Sequence, residues 1–165
     1  MPDNTKQPSK GLVVRIQADN FDTGQMIAQA TKDASNIGAV VSFTGLCRDE
    51  GGKLAALELE HYAGMAQVEI TRIAERAYSH WPLDQLTVIH RYGKIAPGEN
   101  IVLVIATSSH RQAAFEAASY LMDYLKTHAP FWKKEHLIDG TSSDWVDATE
   151  KDDKALERWK DVTRE

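Results

Sequence analysis

Between Thr107 and Glu135 the chain reads TSSHRQAAFEAASYLMDYLKTHAPFWKKE, and its cations fall at spacings that matter. On a helical wheel of about 100° per residue, Arg111, Phe115, Ser119, Met122 and Lys126 share one arc. The neighbouring arc of Ala114, Ala117, Ala118, Leu121 and Leu125 reads as a buried stripe. The first arc runs cation, aromatic, small, thioether, cation. It is either a solvated face or the wall of an anion-binding pocket, to which the helix N-terminus would add free N–H groups and the positive end of its dipole. Lys133 and Lys134 follow Pro130 closely enough to fold back beside Lys126. A lysine among other cations, partly desolvated by aromatic rings, can act as nucleophile or general acid/base. Lys126 either has that role or only supplies charge. His110, just before the helix, is an acid/base candidate or a first-turn residue bonded to the backbone.

Other chemistries are poorly represented. The six histidines (61, 80, 90, 110, 128 and 136) form no HxH or HExxH pair, and with one cysteine there is no CxxC, so no metal site is expected. Gly51-Gly52 is not followed by Lys-Ser/Thr and no GxGxxG occurs, so neither a phosphate loop nor a dinucleotide cofactor is expected. Cys47 beside Arg48 is a conceivable thiolate nucleophile, since a nearby cation lowers a thiol pKa. The competing reading is a small buried side chain at a strand end. A single cysteine also suits a reducing cytoplasm.

The net charge of −5 over 165 residues argues against a generic nucleic-acid partner, which requires a basic footprint. Yet residues 107–134 hold four cations and two anions, a local +2, leaving −7 for the remainder. A basic island on an acidic chain points to a small anionic ligand or a partner's anionic tail. Apolar residues at 42% and charged residues at 26% fit a globular domain, and no run approaches 18 apolar residues, so no membrane span is expected. The polar start, MPDNTKQPSKG, lacks the apolar run of a secretory signal and reads as a disordered lead-in over residues 1–10.

The elements that must position these residues follow from periodicity. Residues 11–18 alternate as a half-buried strand. Asp22 or Thr23 caps a helix expected to reach Ser35, and residues 39–45 form a β-branched strand. The Asp49–Lys53 loop joins this strand to residues 54–62 as an expected antiparallel pair. A second helix opens at Gly64-Met65 with Val68, Ile70, Ile73, Ala74 and Ala77 as its apolar face, and ends at Trp81-Pro82. Residues 85–92 and 100–106 are strands flanking a Pro-Gly turn, the second buried on both faces. The third helix is expected to open with a Ser109–Gln112 capping box and to stop before Pro130. Residues 131–138 and 145–148 are extended, and 150–165 is a charged marginal helix or tail anchored by Leu156 and Trp159. Strands paired between helices indicate a single α+β domain over about 11–149, with a mainly antiparallel, mixed sheet.

The segments GAVVSFTGLCR (38–48), LELEHYAGM (57–65), WPLDQLTVIHRYG (81–93), TSSHRQAAFEA (107–117) and MDYLKTHAPFWKKE (122–135) resemble the large, catalytic subunit of molybdopterin synthase. The resemblance extends from about residue 11 to residue 148. It implies an α/β hammerhead fold and a homodimer within a heterotetramer. In that assembly a small ubiquitin-like sulfur-carrier subunit inserts its C-terminal Gly-Gly thiocarboxylate into the large subunit's pocket. The implied activity is sulfurtransferase: two sulfur transfers to cyclic pyranopterin monophosphate, with opening of the cyclic phosphate, form the dithiolene of molybdopterin in molybdenum cofactor biosynthesis. Carried over by motif, Lys126 and Lys133 are the catalytic pair. Arg48, His110, Arg111, Lys134 and Glu135 join them in binding, and Phe43 and Met122 form apolar wall. The family's site lies near the dimer interface, so some of these residues act across it. Two departures stand out: Ala63, where the family often has proline, and Thr149, where it is commonly basic. The alternative is a partner-binding scaffold of the same fold without turnover, and a weaker one is a metal-free phosphate-ester hydrolase.

Overall fold

The computed structural model describes residues 10–62, 64–147 and 153–163. Most of the expected lead-in, and the departures at Ala63 and Thr149, lie outside the described residues. Two four-stranded sheets organise the chain. The first has the order β1 (Leu12–Gln17), β4 (Leu83–Arg91), β6 (Asn100–Ser108), β2 (Ala39–Leu46). β1 lies parallel to β4, and the other two pairings are antiparallel. The second has the order β5 (Gly93–Ile95), β3 (Leu54–His61), β7 (Phe131–Leu137), β8 (Val146–Asp147), antiparallel throughout.

β6 is buried along most of its length because the first sheet is covered on both faces. Val102, Val104 and Ala106 alternate into the main core with α2 (Met65–His80) and α3 (Arg111–His128). Leu103 and Ile105 join Ile89 on the opposite face, under Met26 and Ala30 of α1 (Thr23–Thr31). Each such apolar side chain, fully enclosed, contributes about 1.5–3 kcal/mol. The buried Arg91 guanidinium ties strand ends together, donating to the carbonyls of Ala18 (3.0 Å) and Asn100 (2.9 Å) and to the Glu99 carboxylate (3.2 Å).

Several local expectations are corrected. β2 and β3 do not pair: β2 adds to β6 at the edge of the first sheet, and β3 pairs β5 and β7 in the second. The Asp49–Lys53 loop is therefore a crossing between sheets. The capping box does not form. The N-cap of α3 is His110, without a side-chain cap, while Ser109 accepts from Asn36 and Gln112 donates to Glu116. Asp22 does cap α1, accepting from the Gln25 N–H at 3.0 Å, but that helix ends at Thr31 rather than Ser35. Val68 is 69% exposed and lies off the apolar face of α2. α3 stops at His128, before Pro130, as the proline requires.

Beyond β8, two short helical turns, α4 (Asp153–Glu157) and α5 (Lys160–Thr163), flank a buried Trp159. Its indole N–H donates to Asp123 at 2.6 Å, and its ring meets Trp81 and Tyr120 edge-on. Arg158 bonds Asp123 and Ser119 beside it. The segment is thus clasped onto α3.

Candidate active site

Where the two sheets meet, a cleft of about 570 Å³ opens. Its apolar lining comes from Leu57 and Leu59 of β3, Ile101 and Val102 of β6, and Leu125, Ala129 and Phe131 around the end of α3. The in-register pairing Leu59↔Lys133 and His61↔Phe131 carries Lys133 onto the same side of the second sheet as Leu59 and Phe131. Lys126 reaches the cleft from the last turn of α3, and Arg48 enters from the loop after β2. Phe43 and Met122 complete the wall. Three cations from three separate elements thus converge over an apolar floor, suited to a flat ring carrying an anionic group.

The remaining sequence candidates sit elsewhere in the chain. His110 and Arg111 are exposed at the start of α3. At 1.5 Å per residue, the fifteen residues from Arg111 to Lys126 place these ends about 22 Å apart. The expected continuous pocket along one side of α3 is therefore divided. Met122 and Lys126 line the cleft, Phe115 is 61% exposed, and Ser119 accepts from Arg158. Lys134 lies on the opposite side of β7 from Lys133, over the Trp145 ring at 5.6 Å. Glu135 shares the face of Lys133 and holds its ammonium at 3.9 Å. A weak exposed pair also links Arg48 to Glu50, at 3.8 Å.

Cys47 is buried, and burial is the main reason its thiol pKa is raised; Glu50 and Glu99 add to this against a hydrogen bond from the Leu57 backbone. The thiol is held neutral beside the site, the inert alternative for this residue. Among the described residues no cluster of His, Cys, Asp and Glu could hold a metal ion.

His90 is a lining residue that motif reading passed over. Its ring stacks on Phe131 with centroids 4.0 Å apart and planes 15° apart, and Nδ1 lies 2.9 Å from the Arg91 carbonyl. Burial pushes its pKa down to about 4, despite the hydrogen bond to Arg91. Period-two alternation was the available signal, since it puts this polar ring on the same strand face as the core residues Leu86 and Val88.

A family model described as MoaE protein matches residues 16–128. The chain belongs to the MoaE protein family. Its similarity to curated members runs nearly end to end. It is 65% identical over 147 residues to the molybdopterin synthase catalytic subunit of Mesorhizobium japonicum, covering 89% of this chain and 92% of that one. It is 59% identical over 155 residues to that of Brucella melitensis, covering 94% and 95%. Among solved structures, the molybdopterin biosynthesis MoaE protein from Burkholderia ambifaria aligns with a TM-score of 0.79 at 44% identity, covering 90% of this chain and 97% of that one. A complex of subunits 1 and 2 of molybdopterin-converting factor from Helicobacter pylori aligns with a TM-score of 0.66, covering 85% and 91%. At 21% identity that likeness concerns the fold alone. The MoaE-family fold thus agrees with the hammerhead-type α+β architecture expected from the motifs.

Proposed function

We propose that this chain is the catalytic subunit of a molybdopterin synthase, a sulfurtransferase acting on cyclic pyranopterin monophosphate in the cytoplasm. The observation that carries the reading is the convergence of Arg48, Lys126 and Lys133 on one apolar-floored cleft. The thiocarboxylated Gly-Gly tail of a small ubiquitin-like partner enters this cleft and supplies the sulfur. In each transfer the thiocarboxylate sulfur bonds to a substrate carbon as a carbon–oxygen bond there breaks, the oxygen leaving on the opened phosphate or as water. Water then cleaves the acyl–sulfur bond and leaves the tail a carboxylate. The cations neutralise the cyclic phosphate and the incoming thiocarboxylate, and Lys126, with Lys133, stabilises the charge that develops as bonds exchange. Glu135 orients Lys133 through their ion pair.

His110 and Arg111 enter this scheme only from a second copy. β2 is the open edge of its sheet, with Val40, Phe43 and Leu46 exposed. Its first residue lies beside Ser108, near the start of α3, and its last residue is near the cleft. Antiparallel pairing of two β2 edges about a two-fold axis brings the partner copy's α3 start to this cleft. This homodimer, with one small subunit at each outer end, makes the heterotetramer. Lys134, on the far side of β7, serves binding from outside the cleft.

The test is reconstitution of the purified chain with thiocarboxylated small subunit and cyclic pyranopterin monophosphate, measuring dithiolene product. Product formed without the partner would overturn sulfur transfer from its tail. No product with all components present would favour a partner-binding scaffold.

A further inference from the structure

The cations of the cleft are donors only: guanidinium and ammonium groups have no lone pair to offer. A nitrogen-rich ring resting on the apolar floor also brings N–H and amino donors, and a donor buried there without an acceptor costs about 1–3 kcal/mol. We propose that the Nε2 atom of His90 is the acceptor on the cleft floor that pairs with an N–H of the bound pterin ring, making His90 a specificity-determining residue. This inference rests on the pterin reading of the cleft and adds to it a contact outside the cationic set.

The Arg91 carbonyl can only accept, so at 2.9 Å it fixes the proton of the neutral ring on Nδ1. Nε2 is then a bare lone pair, and it makes no hydrogen bond among the described residues. The stack on Phe131 holds the ring plane, and the anchored guanidinium of Arg91 holds the strand end that carries it. His61, whose ring centroid lies 6.0 Å from that of Phe131, opposes protonation of His90 as burial does. Thr44 is the other neutral polar lining side chain, and its hydroxyl lies 3.4 Å from that of Thr23. His90 therefore gives the floor a fixed, uncharged acceptor that survives at neutral pH.

The experiment compares the full chain with His90→Phe, which keeps an aromatic plane for the stack, and His90→Gln, which restores an acceptor. Pterin binding is measured without the small subunit, so that no turnover occurs, and steady-state kinetics are measured with it. His90→Phe is expected to weaken pterin affinity and raise the pterin KM about tenfold, with kcat within about twofold and unchanged affinity for the partner. His90→Gln is expected to recover most of the loss. Unchanged pterin affinity in His90→Phe overturns the proposal, as does an equal loss in both variants. Should His90→Phe fold poorly, ¹⁵N-imidazole spectra of the unaltered chain decide: the Nε2 resonance must move on pterin addition, and an unmoved resonance overturns the contact. Failure of the whole reading looks different, because the unaltered chain itself would then bind no pterin.

Discussion

Replacing Lys126 by alanine separates the chemistry of the cleft from the stability of the fold. Lys126 is exposed, and no ion pair holds it among the described residues, whereas Lys133 has Glu135 and Arg48 has Glu50. Its removal leaves no buried partner unsatisfied, so stability should change by no more than about 0.5 kcal/mol. The catalytic cost is set by its charge. A unit charge about 4 Å from developing negative charge is worth ~1 kcal/mol in open water and ~4 kcal/mol at an effective dielectric constant near 20. Lys126 stands beside Leu125, Ala129 and Phe131 on a wall that an inserted tail would cover, which moves it toward the second figure. Loss of a positioned charge-stabilising group typically costs ~2.7–4 kcal/mol, or about 10²–10³ in kcat. The expected result is a kcat at least about a hundredfold lower, with melting temperature and small-subunit affinity near those of the unaltered chain. Single-turnover assay of dithiolene product with saturating partner reads the first quantity, and thermal melting and titration calorimetry read the others. A variant that retains more than about a tenth of the activity would refute the placement of the chemistry at Lys126.

Val40→Lys puts a charge on the open edge of β2, outside the cleft lining, and is expected to shift the chain toward monomer in light scattering and to lower product formation in parallel. A stable dimer with full activity would exclude pairing through that edge. Trp159→Ala removes a buried ring and its bond to Asp123, and should cost about 3 kcal/mol, lowering the melting temperature by about 6–12 °C without changing kcat per folded molecule. Glu116 accepts hydrogen bonds from Gln112 and Trp81, which hold its pKa below the ordinary value of 4.5. Its contribution to stability is complete above that value and is lost as pH falls toward the lowered folded one. Glu116→Gln should therefore flatten the acid limb of a melting-temperature profile below pH 4.5, and an unchanged slope would show that this carboxylate is not coupled to folding.

Local rules written in the chain determined most of the elements. Pro130 stopped α3, Asp22 capped α1, and the apolar run through β6 announced a strand covered on both faces. Long motifs around Arg48, His110-Arg111, Lys126 and Lys133 pointed to the family. The hydrogen-bond competition at the start of α3 could not be read this way, because Ser109 and Gln112 found partners in Asn36 and Glu116 instead of each other. Nor could the fate of the strand after the Gly-Gly loop, since a short loop suits a hairpin as well as a crossing between sheets.

The site shows the same division. A helical wheel preserves the face of a residue but discards its height, so Arg111 and Lys126 fell on one arc although the helix separates them by about 22 Å. Tertiary structure decided which end of that arc meets a cleft. Tertiary packing brought Lys126, Lys133 and Arg48 to one cleft, and left His110 and Arg111 on the surface. It also turned His90 from a polar interruption in an apolar strand into part of the cleft floor. The sequence by itself determined which residue types were available for anion and sulfur chemistry. Which of them share a pocket depended on contacts between elements distant in the chain, and those exist only once the two sheets have packed.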